Sequence, residues 1–339
     1  MVVSHLPVSH DEDYSVGDTP LVPIEVPVRG RVRRIWLKME AGNQFGSIKA
    51  RTAHGLLTTL EAAGRLTPGQ RVIESSSGNL GVALAGLCAA RGYRCTLVVD
   101  ATTPPESVRR IAAYGADLVQ IGDISDGNAV RARLSQVQDI LRADPSAVWT
   151  DQYHSPANPD VHYRWTAPEL VGDLNGRLGA AAVAVSTGGT LAGVSRYLRE
   201  QQPGIQVIAV DAVGSAATGG DPAPRPFKLA GFGSGMRSSF LVPADWDRHV
   251  RIGDLDGARA CRILRERTGL ALGGSGGAAV LGAVVAALDN TELRDIACIC
   301  PDGGEKYAAT VYGNALLGPC DKPSELAEAL ACLRLARPY

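Results

Sequence analysis

Apolar and polar positions along this chain switch repeatedly between two periods. A turn at Gly17-Asp18-Thr19-Pro20 leads into a first strand, and alternation at Ile35, Leu37 and Met39 predicts a second over 31–40. The stretch NQFGSIK, Asn43 to Lys49, then opens a helix that runs to about Ala63. Short apolar runs at Arg71–Glu74, Cys95–Val99, Asp117–Ile121 and Ala147–Thr150 predict strands. Between them lie helical patterns at Val82–Ala90, Glu106–Tyr114 and Ala129–Arg142, the last with apolar residues at Val130, Leu134, Val137 and Leu141. Such alternation predicts a parallel sheet covered by helices on both faces.

The proline-rich SPANPD, Ser155 to Asp160, interrupts the pattern and is a candidate domain boundary. A helix to about Val171 follows, and a second strand–helix series begins. Ala181–Gly193 reads as strand, loop and helix, Ile205–Ala212 as a strand, and Gly214–Arg225 as a loop. Leu255–Thr268 reads as a helix, Gly273–Leu288 as a glycine loop running into a buried helix, and Ile296–Tyr307 as a strand then a loop. An amphipathic tail helix is expected over Ser324–Ala336.

Composition narrows the function classes. A chain of 339 residues suits one large or two medium domains. A net charge of −1 argues against a nucleic-acid or membrane-surface partner. No apolar run approaches the ~20 residues that span a bilayer. The N-terminus lacks a basic segment followed by an apolar one, so a cytoplasmic protein is expected. Seven cysteines, none in CxxC spacing, are expected to be reduced core thiols. The six histidines lack HxxxH spacing, and no metal site is expected.

Glycine changes the picture most, because many of the 39 glycines cluster at predicted β-to-α crossings. SSSGNLG (Ser75–Gly81), STGGT (Ser186–Thr190) and GGSGG (Gly273–Gly277) read as three such crossings, with GFGSG (Gly231–Gly235) between elements. In an open α/β sheet, ligands bind off the carboxyl ends of strands, so the three are expected to share one cleft. In STGGT the glycines allow close backbone approach, two threonines offer hydroxyls, and a helix start faces the anion. It lacks the ending of a P-loop, and no dinucleotide fingerprint follows a first strand. Taken alone, STGGT serves equally well as a structural turn. Lys49 stands at a helix start, where a cation gains nothing from the helix field but where that field lowers its pKa. A lone lysine is most often a solvated surface group.

In combination these features are more specific. An early lysine behind a Gly-Ser turn, then SxSGNxG, STGGTxxG and GxSxGAA, resembles the cysteine-synthase-like group of fold-type-II pyridoxal-phosphate enzymes. The resemblance runs from Gly17 to about Tyr307, and QYHSPANPDVHY (Gln152–Tyr163) and GGEKY (Gly303–Tyr307) fit it as well. It implies two three-layer α/β domains, like the tryptophan synthase β-subunit, with pyridoxal 5'-phosphate in the cleft between them. Residues 1–48 and 160–339 are then the larger, cofactor-phosphate-binding domain, and 49–159 the smaller, substrate-carboxylate-binding one. The family is commonly dimeric, so a homodimer is expected.

The resemblance also assigns roles. Lys49 is implied to form the Schiff base and shuttle the α-proton. Asn79 is implied to bind the ring oxygen, and Ser186, Thr187, Gly188, Gly189 and Thr190 to cradle the phosphate. Ser275 faces the pyridine nitrogen, and a neutral partner there favours β-elimination over transamination. Ser76, Ser77, Asn79 and Gln152 hold the substrate α-carboxylate, and Gly231 offers a carbonyl to the substrate amine. The implied reaction is β-replacement on an O-activated L-serine through an aminoacrylate.

Leu80 stands where a threonine is usual, Tyr153 where a phenylalanine is common, and Ser186 where a glycine usually starts the loop. Arg133 and Arg237 add cations. These departures resemble the branch that makes N-(2-amino-2-carboxyethyl)-L-glutamate from O-phospho-L-serine and L-glutamate, toward 2,3-diaminopropionate for siderophores or antibiotics. A phosphate leaving group and a dicarboxylate nucleophile call for arginines and hydroxyls, which sulfide does not. The alternative for Arg133 is a solvated helix face, and for Arg237 a surface loop. Two other readings stand beside the first: a cysteine synthase or related β-substituted alanine synthase, and a non-catalytic binding protein on the same fold.

Overall fold

The computed structural model describes residues 15–122, 129–225, 228–313 and 333–336. In chain order the elements are β1 (Leu21–Val28), β2 (Arg31–Met39), α1 (Lys49–Ala62), β3 (Arg71–Ser75), α2 (Asn79–Ala90), β4 (Arg94–Val99), α3 (Pro105–Ala113), β5 (Asp117–Gln120), α4 (Ala129–Ala143), β6 (Val148–Trp149) and α5 (Ala157–Val161). There follow a π-helical turn (His162–Thr166), α6 (Ala167–Leu174), β7 (Ala180–Ala184), α7 (Gly189–Gln201), β8 (Gln206–Ala212), β9 (Arg248–Ile252), α8 (Asp254–Thr268), α9 (Gly274–Asp289), β10 (Asp295–Cys300) and β11 (Arg334–Leu335).

The chain divides into two compact units. One is Asn43–Val161 with the segment ending at Gly17; the other is Asp18–Gly42 with the segment from His162 on. Residues 43–48 therefore belong with the smaller unit, although the sequence reading places them in the larger one. The proline-rich stretch carries no break of its own. It forms α5 at Ala157–Val161, and the division falls immediately after it.

The smaller unit is built on a four-stranded sheet in the order β5-β4-β3-β6, every neighbour parallel. Parallel neighbours require crossovers, and α2, α3 and α4 supply them. β3 and β4 are almost wholly buried, as strands covered on both faces must be. The carboxyl end of β3 opens directly into SSSGNLG, and Asn79 is the first residue of α2.

The larger unit holds a seven-stranded sheet in the order β11-β1-β2-β10-β7-β8-β9. β1 and β2 form an antiparallel hairpin, and from β2 through β9 the neighbours are parallel. The core lies where α9 packs on this sheet: Val280, Ala283 and Val284 join Ile208, Val210 and Ile296. Each large aliphatic side chain so buried contributes about 1.5–3 kcal/mol. Lys38, also fully buried, ties the hairpin to α6: its ammonium donates to Thr19 O (2.8 Å) and Asp173 Oδ2 (2.8 Å) and pairs with Glu169 (3.2 Å).

The structure departs from the sequence pattern at the tail and at GGSGG. The end of the expected tail helix, Arg334–Leu335, is extended and pairs antiparallel with β1, which covers an otherwise open sheet edge; residues 324–332 lie outside the described residues. GGSGG does not follow a strand of the sheet, since α8 precedes it. It reaches the carboxyl end of β10 indirectly, through a single bridge between Leu272 and Gly303 and the hydrogen bond from Gly273 N to Asp302 O (3.0 Å). The five described cysteines, 88, 95, 261, 298 and 300, are free and buried, as the sequence reading expects; Cys320 and Cys332 lie outside the described residues. Among the described residues no helix is long and apolar enough to cross a membrane.

Candidate active site

In the smaller unit, Lys49 is the first residue of α1. Burial pushes its ammonium down to about 8, while the carboxylate of Glu74 pulls it part of the way back up. Burial is thus the main physical cause, where the sequence reading named the helix field. The neutral amine such a lysine offers near neutral pH is what an imine-forming or proton-shuttling group needs.

Glu74 is the last residue but one of β3 and a centre of the network. Its Oε1 accepts from Ser75 N (2.7 Å) and Trp149 Nε1 (3.4 Å), and its Oε2 accepts from Thr150 Oγ1 (2.6 Å) and Gln152 N (3.0 Å). Burial raises its pKa, and these donors hold it part-way back. The sequence reading missed Glu74. Its one signal was an acidic residue ending an otherwise apolar strand.

The same carboxylate fixes the residues expected to meet a substrate. Gln152 is buried, its amide nitrogen donates to Ser75 O (2.9 Å), and its own carbonyl accepts from Asn158 Nδ2 (2.7 Å). Ser76 Oγ accepts from Gly81 N (3.0 Å), which tightens the loop over the start of α2. Ser77 and Asn79 are partly exposed, while Leu80 turns into the core. Arg133 is not a solvated helix residue. It is only 7 % exposed, ion-paired with Asp100 and donating from Nε to Ser75 Oγ (3.2 Å). Burial works against the charge on Asp100, but Thr102 and Arg133 together hold its carboxyl below the usual range. Tyr153 hydrogen-bonds Arg133, and burial raises its phenol. The structure therefore brings Glu74, Ser75, Arg133, Gln152 and Tyr153 into one buried polar cluster behind the Ser76–Asn79 loop.

In the larger unit, STGGT leaves the carboxyl end of β7, and α7 starts at Gly189. The first amide N–H groups of a helix have no partner within it, so they remain for an anion. Gly188 has φ +92, and a Cβ there would meet Ser238 Oγ at 2.2 Å and Leu241 Cγ at 2.9 Å. The GFGSGMRSSF loop packs on this turn: Gly233 N donates to Val185 O (2.7 Å), Ser186 Oγ to Gly233 O (3.4 Å) and Ser238 Oγ to Thr187 O (2.6 Å). Thr190 Oγ1 lies 3.3 Å from His162 Nε2, and His162 Nδ1 lies 3.0 Å from Thr166 Oγ1. His162 is fully buried in the π-helical turn and orients the threonine; the sequence reading missed it. Gly231 has φ +67 and is exposed, as is Arg237.

Ser275 is the second residue of α9 and only 2 % exposed. Ser47 Oγ, two residues before Lys49, is buried without a hydrogen-bond partner. Buried hydroxyls are rarely left unsatisfied, which points to a ligand with polar atoms. Within the smaller unit the partly neutral amine suits an aldehyde, and within the larger unit the glycine cradle at a helix start suits a phosphate.

Known proteins resemble this chain over most of its length. The family model for pyridoxal-phosphate dependent enzymes matches residues 13–302. N-(2-amino-2-carboxyethyl)-L-glutamate synthase of Ralstonia nicotianae is 37 % identical over 308 residues, 89 % of this chain and 89 % of that one. Cysteine synthase of Staphylococcus aureus is 31 % identical over 298 residues, 87 % of this chain and 94 % of that one. Among solved structures, O-ureido-L-serine synthase superposes with a TM-score of 0.80 at 29 % identity, covering 90 % of this chain and 96 % of that one.

Proposed function

This chain belongs to the pyridoxal-phosphate-dependent enzymes, and from that premise we propose that it is a cytoplasmic, homodimeric synthase joining O-phospho-L-serine and L-glutamate with release of phosphate. Its chemistry is β-replacement on a serine derivative. The product of the proposed reaction is N-(2-amino-2-carboxyethyl)-L-glutamate, a 2,3-diaminopropionate precursor. The observation that carries the choice of substrates is Arg133: a buried guanidinium, with Tyr153 beside it, behind the loop that binds the amino acid. A guanidinium there suits a phosphate leaving group or a dicarboxylate nucleophile, neither of which sulfide chemistry requires. The likeness to the Ralstonia nicotianae synthase supports the same choice.

When bound, pyridoxal phosphate supplies an electron sink that lowers the barrier to losing the substrate's α-proton and β-leaving group. Lys49 Nζ would hold the cofactor covalently and, once the substrate amine replaces it in that bond, would take the α-proton at that same nitrogen and later return one. The amide groups at the head of α7, with Ser186, Thr187 and Thr190, would hold the phosphate, and Gly188 and Gly189 would let the backbone reach it. Ser275 would meet the ring nitrogen as a neutral partner, and Asn79 the ring oxygen. Ser76, Ser77 and Asn79 bind the substrate carboxylate, with Gln152 holding their loop through Ser75 as well as meeting that carboxylate. Gly231 receives the substrate amine through its carbonyl. Arg133 and Tyr153 select among substrates, and Arg237 adds charge from an exposed loop.

A substrate matrix tests the proposal. Purified holoenzyme receives O-phosphoserine or O-acetylserine, each with glutamate or sulfide, and products are read by mass. The glutamate adduct from O-phosphoserine is expected to dominate, from a species that light scattering weighs as two chains. Cysteine from O-acetylserine, with no glutamate adduct, sinks this choice of substrates and favours the cysteine-synthase reading.

A further inference from the structure

Phe45 lies four residues before Lys49, and its backbone is left-handed, with φ +70 and ψ 0. An aromatic residue rarely adopts that conformation, and it persists only where its surroundings enforce it. Here they do. Gln44 N donates to Ser15 O (3.0 Å), Gly46 N to Asn43 O (2.9 Å), and Gly17 N to Asn43 Oδ1 (2.9 Å). Arg110 donates to Phe45 O at 3.0 Å. The ring is buried and meets Tyr114 edge-on, with centroids 5.7 Å apart.

The other face of the contact is a notch in α2. A Cβ at Gly86 would lie 2.2 Å from Phe45 Cε1 and 2.7 Å from its Cζ, so the ring occupies the space that a side chain there would fill. Asn79 heads that same helix, and Lys49 heads the helix that follows the Phe45 turn. One ring therefore bridges the turn that delivers the lysine to the helix that presents the asparagine.

We propose that Phe45 and Gly86 form a fixed joint that sets Lys49 relative to the Ser76–Asn79 loop, making Phe45 a positioning residue for the chemistry at Lys49. The proposal rests on the reading of Lys49 as the cofactor's anchor. A core residue that merely fills space has no need of a strained backbone or a glycine opposite it. A joint needs both, because the strain fixes the turn and the notch fixes the ring.

The test follows capture of pyridoxal phosphate by the apo-protein in the visible, together with kcat, KM and thermal stability. Gly86→Ala drives the ring from the notch. It is expected to slow capture and lower kcat by about tenfold or more, since displacements near 1 Å at reacting groups are that costly, with KM moving far less. Adding Phe45→Leu, which removes the ring atoms nearest residue 86, is expected to restore most of both rates. Phe45→Leu alone is expected to slow capture several-fold, and this variant carries the test should Gly86→Ala not fold. A folded Gly86→Ala (or, failing that, Phe45→Leu) that captures and turns over at the wild-type rate, with only its stability lowered, overturns the joint. Failure of the Lys49 reading looks different: wild-type apo-protein then captures the cofactor at another lysine.

Discussion

Lys49→Ala abolishes the visible absorbance of the bound cofactor and lowers turnover by about 10⁴-fold, the upper range for losing a positioned proton-transfer group. The expectation follows from the state of the amine. With a pKa of about 8 rather than the ordinary 10.5, about one molecule in ten carries neutral Lys49 at pH 7, against about one in three thousand for an unperturbed lysine. Lys49→Arg is expected to fail equally. Its guanidinium keeps the length and the charge but stays protonated, so it neither captures an aldehyde nor accepts a proton. Spectra and single-turnover rates of both variants check this. A Lys49→Arg protein that keeps the visible band moves the anchor elsewhere.

Gly188→Ala is expected to weaken cofactor binding about 10- to 100-fold. A residue with φ +92 costs about 1–2 kcal/mol once it bears a side chain, and each 1.4 kcal/mol is tenfold in affinity. The added carbon would also sit 2.2 Å from Ser238 Oγ, whose hydrogen bond to Thr187 O shapes the loop. Equilibrium titration with pyridoxal phosphate reads the loss. Gly235→Ala is the control, because its Cβ would meet nothing within 4 Å. Equal affinity in wild type and Gly188→Ala would remove STGGT from phosphate binding.

The parts of the fold legible in the sequence were those written locally. Buried parallel strands such as β3, β4 and β7 show as short apolar runs, and the loops after β3 and β7 show as small-residue clusters. β9 was missed although its pattern was present. Only Val250 and Ile252 of RHVRI are buried, so an edge strand with charged alternate positions reads as loop. The tail was misjudged for a related reason. Two residues that pair on β1 gain their structure from that edge and not from their own periodicity.

The site divides the same way. Lys49, Asn79 and the glycine turns are visible because each sits where a helix begins. Glu74, His162 and the Phe45–Gly86 contact are invisible because their partners are distant in sequence: Gln152 for Glu74, Thr190 for His162, α2 for Phe45. Arg133 was recognised as a cation. That Asp100 and Ser75 hold it buried was not, since nothing in the α4 pattern names a partner on β3 or beyond β4.

That Lys49 is a half-buried, partly neutral amine that anchors the cofactor is tested by trapping. Apo-protein is exposed to pyridoxal phosphate across a range of pH, reduced with borohydride and mapped by peptide mass. The expected label is on Lys49 alone, rising with pH through a midpoint near 8, because deprotonation and not charge makes the amine reactive. Label on any other lysine, or a midpoint near the 10.5 of an ordinary lysine, contradicts it.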